Sequence, residues 1–166
     1  MTLMHLTITE ERWKMLKRKK EWIEEIERLT GVKIEMPTSQ EIVISGEDPI
    51  KVLRVKEILR ALGRGFDFQS ALSLLDENQY LEIINLRDYT KSRNRQIELK
   101  GRVIGKDGST KKRIEEVTGV KIAVYGKTIG IIGPWKNVQI AKRAVEMLLG
   151  GAMHETVYRF LKRQII

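Results

Sequence analysis

The chain has 166 residues, a net charge of +9 and no cysteine, which excludes disulfides, Cys-ligated zinc or iron–sulfur centres and a thiol nucleophile. Its two histidines, His5 and His154, are far apart and show no metal-ligand spacing, so we expect no metal site. No apolar run is long enough to cross a bilayer and the N-terminus has no secretory pattern, so we expect a soluble, cytoplasmic protein without a membrane partner.

The first half of the chain predicts strands and helices in alternation. Residues 6–9 read as a strand, and a helical pattern can run uninterrupted from residue 10 to residue 30. Two short strand patterns follow, and then Asp48 and Pro49 predict the start of a helix that ends near Leu62. Residues 68–75 predict one more short helix, and residues 80–86 alternate as a strand that we place in the connector.

The second half predicts the order strand–helix–helix–strand–strand–helix. Gly119 ends a helix as a left-handed cap does, and residues 126–127 form a turn between two strands. A last helix at residues 154–163 carries Val157, Phe160 and Leu161 on one face, which predicts that it docks on the domain. The other predicted elements, in chain order, are a strand at 96–99, a helical turn at 101–104, a helix at 109–118, strands at 120–124 and 129–132, and a helix at 137–149.

A repeat with an offset of 88 residues links the two halves. The sequence TGVKI occurs at residues 30–34 and again at residues 118–122, and Ile26 and its neighbour Glu27 recur 88 positions later. Self-similarity of this kind indicates two copies of one structural unit. We therefore predict an α+β chain with two tandem domains, residues 1–79 and 80–166.

Positive charge is concentrated in the second domain. Residues 1–80 hold 13 Lys and Arg against 14 Asp and Glu, whereas residues 81–166 hold 18 against 8. This asymmetry favours a polyanionic partner for the second half, although a solvated basic surface without a ligand has the same composition.

Residues 105–108, Gly-Lys-Asp-Gly, lie between two predicted helices of the second domain. Glycine at both ends allows a tight turn and the close approach of a foreign backbone, and the N-terminus of the next helix favours an anion. Ser109 and Thr110 add hydroxyl donors. A plain helical hairpin, which needs no ligand, stays an alternative. A nucleotide P-loop is excluded by the spacing, because Lys106 is followed by Asp107.

The run VIGKDGSTKKRIEEVTGVKI at residues 103–122 resembles the core of a KH domain of the eukaryotic type (type I). The resemblance implies, for each unit, a three-stranded antiparallel sheet packed on three helices, and a loop that clamps four nucleotides of single-stranded RNA. It also implies a groove whose base-facing wall is apolar, formed by residues that are core by default: Val103, Ile104, Ile114, Ile122 and Val124. The RNA-binding residues that it implies are Arg102, Val103, Ile104, Gly105, Lys106, Asp107, Gly108, Ser109, Thr110, Lys111, Lys112, Arg113, Lys121, Ile122 and Val124.

Two tandem KH-like units and the tail LLGGAMHETVYRFLKR at residues 148–163 resemble one group of KH proteins closely. The chain is similar to the small-subunit ribosome assembly factors called partner of Nob, Dim or Pno, in a form without long extensions that looks archaeal. This resemblance implies binding to precursor ribosomal RNA near the 3′ end of the small-subunit RNA, and support of its maturation. It implies a Nob-type endonuclease and other pre-ribosomal proteins as partners.

In the first unit, the offset places the loop on four cations and no glycine. We expect this degenerate unit to be mainly structural or protein-binding, with the cations adding unspecific phosphate contacts. Trp13 and Trp22 are expected to pack within the unit, and stacking on RNA bases is the alternative. The four cations are Lys17, Arg18, Lys19 and Lys20.

No residue pattern assembles a catalytic site, and we expect no cofactor and no small-molecule substrate. Asp107, the carboxylate inside the loop, is better placed to shape the turn than to do chemistry. We therefore predict an RNA-binding adaptor and not an enzyme. The alternative is a protein–protein scaffold of an RNA-processing complex with incidental RNA contact, and the salt dependence of RNA binding separates the two.

Overall fold

The computed structural model describes residues 1–164, which fold as two compact units, one ending at Glu77 and the other beginning at Asn78. Ile165 and Ile166, with which the predicted second domain ends, lie outside the described residues. We call the two parts unit 1 and unit 2.

Unit 1 is built on a three-stranded antiparallel sheet. Its elements are β1 (Thr2–Thr7), α1 (Glu10–Arg18), α2 (Lys20–Thr30), β2 (Lys33–Glu35), β3 (Glu41–Gly46), α3 (Pro49–Gly63), α4 (Phe68–Leu72) and a 3-10 turn (Ser73–Leu75). The strand order is β1–β3–β2, with Thr2 opposite Gly46 in the first pair and Lys33 opposite Ser45 in the second.

Unit 2 repeats this plan with longer connections. Its elements are β4 (Tyr80–Asn85), a 3-10 turn (Leu86–Asp88), α5 (Arg93–Ile104), a second 3-10 turn (Lys106–Gly108), α6 (Ser109–Thr118), β5 (Lys121–Tyr125), β6 (Thr128–Gly133), α7 (Trp135–Leu149) and α8 (His154–Gln164). The strand order is β4–β6–β5, with Tyr80 opposite Gly133. The predicted α+β class and the order strand–helix–helix–strand–strand–helix are confirmed in both units.

The predicted strand at residues 96–99 is wrong, because these residues lie inside α5. Gln96, Leu99 and Val103 are the buried residues of that helix, and their spacing is helical. The side chain of Ser92 caps the helix by accepting from the backbone N–H of Arg95. The first strand of unit 2 is instead β4, the alternating segment that the sequence assigned to the connector.

The uninterrupted helix predicted from residue 10 to residue 30 is also wrong. It breaks at Lys19, whose backbone lies outside the helical region at φ −96° and ψ 57°. The first strand runs over Thr2–Thr7, earlier than the predicted residues 6–9. The offset of 88 therefore does not reach back to the first strand, because residues 8–9 join it to α1 whereas residues 86–92 join β4 to α5.

In unit 2, the repeated sequence TGVKI and the glutamate before it form a hydrogen-bonded connection between a helix and the following strand, which we call the helix–strand lock. The carboxylate of Glu115 in α6 accepts from the backbone N–H of Ile122 in β5 at 2.8 Å. The hydroxyl of Thr118 donates to the carbonyl of Ile114 at 2.6 Å, and Gly119 ends the helix in the left-handed region at φ 76°. These bonds fix the angle at which α6 passes into β5.

Unit 1 contains the same lock at the positions 88 residues earlier. Glu27 accepts from the N–H of Ile34 at 2.9 Å, Thr30 donates to the carbonyl of Ile26 at 2.7 Å, and Gly31 ends α2 at φ 72°. The identical residues thus maintain the fold in both copies.

The core of unit 2 lies between its sheet and its helices. Every residue of β6 is buried, and Ile114 of α6 is fully buried with Ile129 and Ile131 of that strand. Val157 and Leu161 of α8 join this core and Phe160 packs at its edge, as their shared face predicted. Each such side chain contributes about 1.5–3 kcal/mol by leaving water, so α5 and α6 are held firmly on either side of their junction.

Candidate nucleic-acid interface

The turn at residues 105–108 joins α5 to α6 through three residues with positive φ. Gly105 has φ 76° and ψ 174°, Asp107 has φ 56°, and Gly108 has φ 76° and ψ 10°. The N–H of Gly105 donates to the carbonyl of Gly101 at 2.8 Å, and the N–H of Gly108 donates to the carbonyl of Gly105 at 3.2 Å. Glycine adopts such angles freely, and Asp tolerates the left-handed region better than most residues do.

The two loop glycines are needed for different reasons. A Cβ atom on Gly105 would stand 2.7 Å from the backbone nitrogen of Thr110. The backbone of Gly105 therefore packs so closely against α6 that only glycine fits there. A Cβ atom on Gly108 would meet nothing within 4 Å, and the same holds for Gly101 in α5. Gly105 therefore closes the turn, whereas Gly108 leaves open surface at the start of α6.

The start of α6 combines the positive end of a helix with cations, and the N–H of its first residue, Ser109, donates to the carbonyl of Lys106. Gly108 stands at the N-cap position and offers no side chain to the first N–H groups of the helix. Lys106, Lys112 and Arg113 are exposed around this end, together with Ser109. The positive end of the helix dipole and these cations act in the same direction, which suits the charge of a phosphate group.

One of the predicted cations, Lys111, is engaged within the unit. Lys111 is half-buried and forms an ion pair with Glu115 at 3.5 Å. Asp107 is exposed in the turn. The positive charge available at the loop thus comes mainly from Lys106, Lys112 and Arg113.

Thr110 and Tyr158 connect the loop to the C-terminal helix α8. Thr110, predicted to add a hydroxyl donor, is only 2% exposed, and its hydroxyl lies 3.1 Å from that of Tyr158. The guanidinium of Arg113 lies 4.1 Å from the centre of the Tyr158 ring, a cation–π contact. Tyr158 was not among the predicted site residues. The signal that could have found it is its spacing of four residues from His154, which places both on one face of the helix.

Arg102, also predicted to contact RNA, faces the interior of unit 2. Its guanidinium donates to the carbonyls of Leu148, at 2.9 Å, and of Ala152, at the end of α7. The carbonyl of Arg102 lies 3.0 Å from the Nε2 atom of His154. Arg102 therefore satisfies carbonyls left free at a helix end and anchors α5.

Unit 1 uses an arginine in the same way. Arg12 of α1 donates to the carbonyls of Leu62, at 2.8 Å, and Phe66, at 3.4 Å, at the end of α3. A structural contact of this kind, present in both units, accounts for Arg102 without a ligand.

The predicted apolar wall is divided between surface and core. Val103 and Ile114 are fully buried and Ile122 is 5% exposed, so they support the groove from beneath. Ile104, the residue directly before the loop, and Val124 of β5 are half-buried and keep some apolar surface exposed, and Lys121 is exposed on β5.

An open hollow adjoins the loop on the side of α8. It is lined by the backbone of Gly101, the side chains of Glu98, Lys106 and Ser109, and the rings of His154 and Tyr158. The hollow thus reaches Gly101 of α5 and Gly105, the first residue of the loop.

In unit 1, the predicted cations surround the break between α1 and α2. All four residues, 17–20, are exposed, and Lys17 and Lys19 lie over the rings of Trp13 and Trp22 at 5.5 and 5.2 Å. Trp13 donates to the carbonyl of Glu41, and Trp22 stacks on Phe68 at 5.0 Å. Both tryptophans thus pack within the unit, as the sequence predicted.

Within residues 1–164, no group of three or more His, Asp or Glu side chains is arranged to hold a metal ion. No helix in that part of the chain has both the length and the apolar character needed to span a membrane.

Comparison with known proteins identifies relatives of the chain. The family model for the second KH domain of Pno1, described as a eukaryotic-type KH domain (KH-domain type I), matches residues 80–165. The chain is 46% identical over 143 residues to a KH domain-containing protein of Methanocaldococcus jannaschii, covering 84% of this chain and 63% of that protein. It is 35% identical over 117 residues to the RNA-binding protein pno1 of Drosophila melanogaster, covering 69% of this chain and 49% of that protein. The chain thus spans less than two thirds of either relative.

Solved structures resemble the whole chain. Dim2p of Pyrococcus horikoshii superposes with a TM-score of 0.90 at 40% identity, covering 98% of this chain and 99% of that one. A chain of the a/eIF2alpha–aDim2p–rRNA complex from the same organism gives 0.90 at 39% identity, covering 98% and 93%. A protein of unknown function from Aeropyrum pernix gives 0.94 at 32% identity, covering 99% and 90%.

Proposed function

The chain belongs to the KH-domain ribosome assembly factors of the Pno1/Dim2 type, and from this premise we propose that it is an adaptor for single-stranded precursor ribosomal RNA. It binds near the 3′ end of the small-subunit RNA and assists maturation of that end. A Nob-type endonuclease and other pre-ribosomal proteins are its partners, and it acts in the cytoplasm.

One observation carries this proposal: the open surface at Gly108, at the N-terminus of α6, with Lys106, Lys112 and Arg113 around it. A phosphodiester strand lying there is attracted by the positive end of the α6 dipole and neutralised by the three cations. A side chain at Gly108 would keep the strand away from this helix end, whereas a side chain at Gly105 would clash with Thr110.

The bases of the bound strand face the other wall of the groove. Ile104 and Val124 offer the exposed apolar surface there, and Lys121 adds a cation on β5. Unstacked bases of single-stranded RNA bury their faces against such side chains. The described residues supply binding groups and structural support, so the proposed role is recognition and the chemistry of RNA cleavage belongs to the endonuclease.

Two relatives support this assignment. The Pyrococcus relative is seen in a complex with a/eIF2alpha and rRNA, and the Drosophila relative is an RNA-binding protein. The similar fold, together with the open basic loop of this chain, supports the proposal that it binds RNA. The four cations of unit 1 at residues 17–20 add unspecific phosphate contacts.

Replacing Gly108 by Asp tests the proposal. The substitution places a negative charge where the phosphate lies, and we expect a loss of about 2 kcal/mol, or roughly 30-fold in affinity. The measurement is a titration of an oligonucleotide copying the 3′ end of the small-subunit RNA, with circular dichroism to verify the fold.

Gly108→Asn is the matched control. Asparagine has the same size and tolerates the left-handed region, but it adds no charge, so the loss should be clearly smaller than for Asp. Equal affinity of wild type, Asn and Asp variants, with the fold intact, would show that the loop is not the site.

A protein–protein scaffold with incidental RNA contact remains the second candidate, favoured by the acidic balance of unit 1. When cations neutralise phosphates of single-stranded RNA, the logarithm of the binding constant falls linearly with the logarithm of the salt concentration. The slope is about −0.7 for each phosphate contact. An adaptor therefore shows tight, saturable and salt-dependent binding, whereas a scaffold shows no saturable binding of RNA.

A further inference from the structure

A second basic hollow lies on unit 2, built from three segments of the chain. Arg87 and Lys91 come from the connection between β4 and α5, Arg93 and Lys100 from α5, and Lys127 from the turn between β5 and β6. Ile97, which is 56% exposed, contributes an apolar surface between them. No carboxylate lines this hollow in the described part of the chain.

Hydrogen bonds hold the segments of the hollow together. The N–H of Leu86 donates to the carbonyl of Lys127 at 2.8 Å, which joins the connection to the turn. The side chain of Gln96, 6% exposed, donates to the carbonyl of Thr90 at 2.9 Å and ties the connection to α5. The cations therefore project from a formed scaffold, and a ligand does not have to order it.

The five cations are not compensated within the unit. None of them forms an ion pair within residues 1–164. Other cations of unit 2 do, as Lys142 pairs with Glu82 at 3.0 Å and Arg95 with Glu98 at 2.7 Å. Like charges gathered without counter-charges repel one another, and an anionic ligand removes that repulsion.

The hollow is specific to the unit that has the glycine loop. In unit 1, residues 8–9 alone connect the first strand to the first helix, so no segment corresponds to the one that carries Arg87 and Lys91. In unit 2, α5 carries Lys100 of the hollow and ends at the glycine loop. At a rise of about 1.5 Å per residue, Lys100 and Gly105 lie roughly 7–8 Å apart along the helix axis.

The geometry points to a second phosphate-binding subsite for the same RNA strand, which follows α5 from the glycine loop into this hollow. This inference rests on the proposed function of the loop and extends it beyond the four nucleotides that such a loop clamps. The cations bind phosphates, and Ile97 packs against a base or sugar. Fixed cations around an apolar patch on the helix that leads from the loop favour a nucleotide strand over an acidic protein segment.

The test uses the full chain and two RNA oligonucleotides, of four and eight nucleotides, from the 3′ end of the small-subunit RNA. The double variant Arg87→Gln/Lys127→Gln removes two cations and leaves the backbone bond between Leu86 and Lys127 in place. We expect its affinity for the tetramer to be unchanged and that for the octamer to fall roughly tenfold. The slope of log K against log salt for the octamer should become less steep by about 1.4.

Lys136→Gln/Arg143→Gln is the matched control, because both residues are exposed on α7 and the change in net charge is the same. It should alter the affinity for either oligonucleotide by about twofold or less, the effect of net charge alone. An octamer loss equal to that of the hollow variant would overturn the subsite.

The remaining outcomes separate the two proposals. If Gly108→Asp weakens both oligonucleotides while the hollow variant leaves the octamer unaffected, the subsite is overturned and the loop function stands. If wild-type protein binds neither oligonucleotide, both proposals are overturned. Saturable binding of an eight-residue glutamate peptide that the hollow variant loses, with octamer affinity unchanged, would assign the hollow to an acidic protein partner and overturn the RNA subsite.

Discussion

The two units share a helix–strand lock and differ at the junction just before it. Unit 2 joins its first two helices through a four-residue turn with two glycines, whereas unit 1 joins them through Lys19 alone. The lock is the same in both, with Glu27 and Glu115 each accepting from a strand N–H. The difference shows that the fold does not need the glycine turn, which is therefore available for a ligand.

The second helices sharpen the comparison, because the offset of 88 holds along them. Ile26 and Ile114 are both fully buried, but unit 1 has Ile23 and Glu24 where unit 2 has Lys111 and Lys112. The groove of unit 1 is lined by two lysines, Lys17 and Lys20, and by two carboxylates, Glu24 and Glu27, so its charges balance. Its apolar lining is Leu16, Ile23, Ile34 and Met36. Unit 1 has kept the architecture and lost part of the charge that suits RNA.

The largest expected effect comes from Gly105→Ala. At φ 76° and ψ 174° the backbone is in a region almost restricted to glycine, and the added Cβ would stand 2.7 Å from the backbone nitrogen of Thr110. We expect unit 2 to lose about 2–4 kcal/mol of stability. The measurement is urea unfolding followed by hydrogen exchange in α5 and α6.

Gly108→Ala is the control for Gly105→Ala. Its Cβ meets nothing, so only the left-handed backbone is disfavoured, at about 1–2 kcal/mol. Equal losses in the two variants would mean that the packing against Thr110 is not what requires Gly105.

The second prediction concerns the lock itself. Glu27→Ala and Glu115→Ala each leave a strand N–H without its charged acceptor, and we expect each to cost its own unit about 1.5–3 kcal/mol. Amide exchange at Ile34 and Ile122 reports the two losses separately.

Glutamine at the same two positions keeps an acceptor oxygen, so the loss should be smaller than with alanine. A large effect in one unit and none in the other would contradict the view that the lock is a shared structural device, and would assign its glutamate a local role.

Sequence patterns predicted those elements whose signals are local and long. Ser109–Thr118 has the predicted bounds, and α7 and α8 differ from theirs by one or two residues, because a buried helical face repeats over several turns. The segment 96–99 was too short to distinguish a strand from a helix. Nothing local shows that β4 pairs with β6, whose partner residues, from Asn85–Thr128 to Tyr80–Gly133, are 43 to 53 positions apart. Pairing of that kind depends on the folded sheet.

Of the candidate site, the sequence likewise predicted the local loop but not the contacts between distant segments. The open loop at residues 105–108 is visible in its glycines, but the inward direction of Arg102 depends on carbonyls of Leu148 and Ala152, about 50 residues further on. The contact of Thr110 with Tyr158 likewise joins distant segments. Residue type shows which groups are able to bind a phosphate, and only the fold shows which of them remain free to do so.

The smallest expected effect, and the one that best separates ligand from fold, comes from Gly101→Ala. Gly101 lies inside α5, where alanine is favoured over glycine by about 0.5–1 kcal/mol, and its Cβ would meet nothing within 4 Å. We therefore expect a more stable unit 2. If the RNA strand passes over this bare helix face, the added methyl group lengthens a contact and weakens binding by about 1 kcal/mol, near the value of one hydrogen bond.

Asn94→Ala is the control, because Asn94 is exposed in the first turn of α5 and lies outside both hollows. The substitution also raises helix propensity, so stability should rise while RNA affinity does not change. Hydrogen exchange in α5 and RNA titration of both variants give the two quantities. Greater stability with weaker binding in Gly101→Ala alone would mean that this glycine is kept for the ligand at the expense of the helix, whereas unchanged binding would remove the strand from this face of α5.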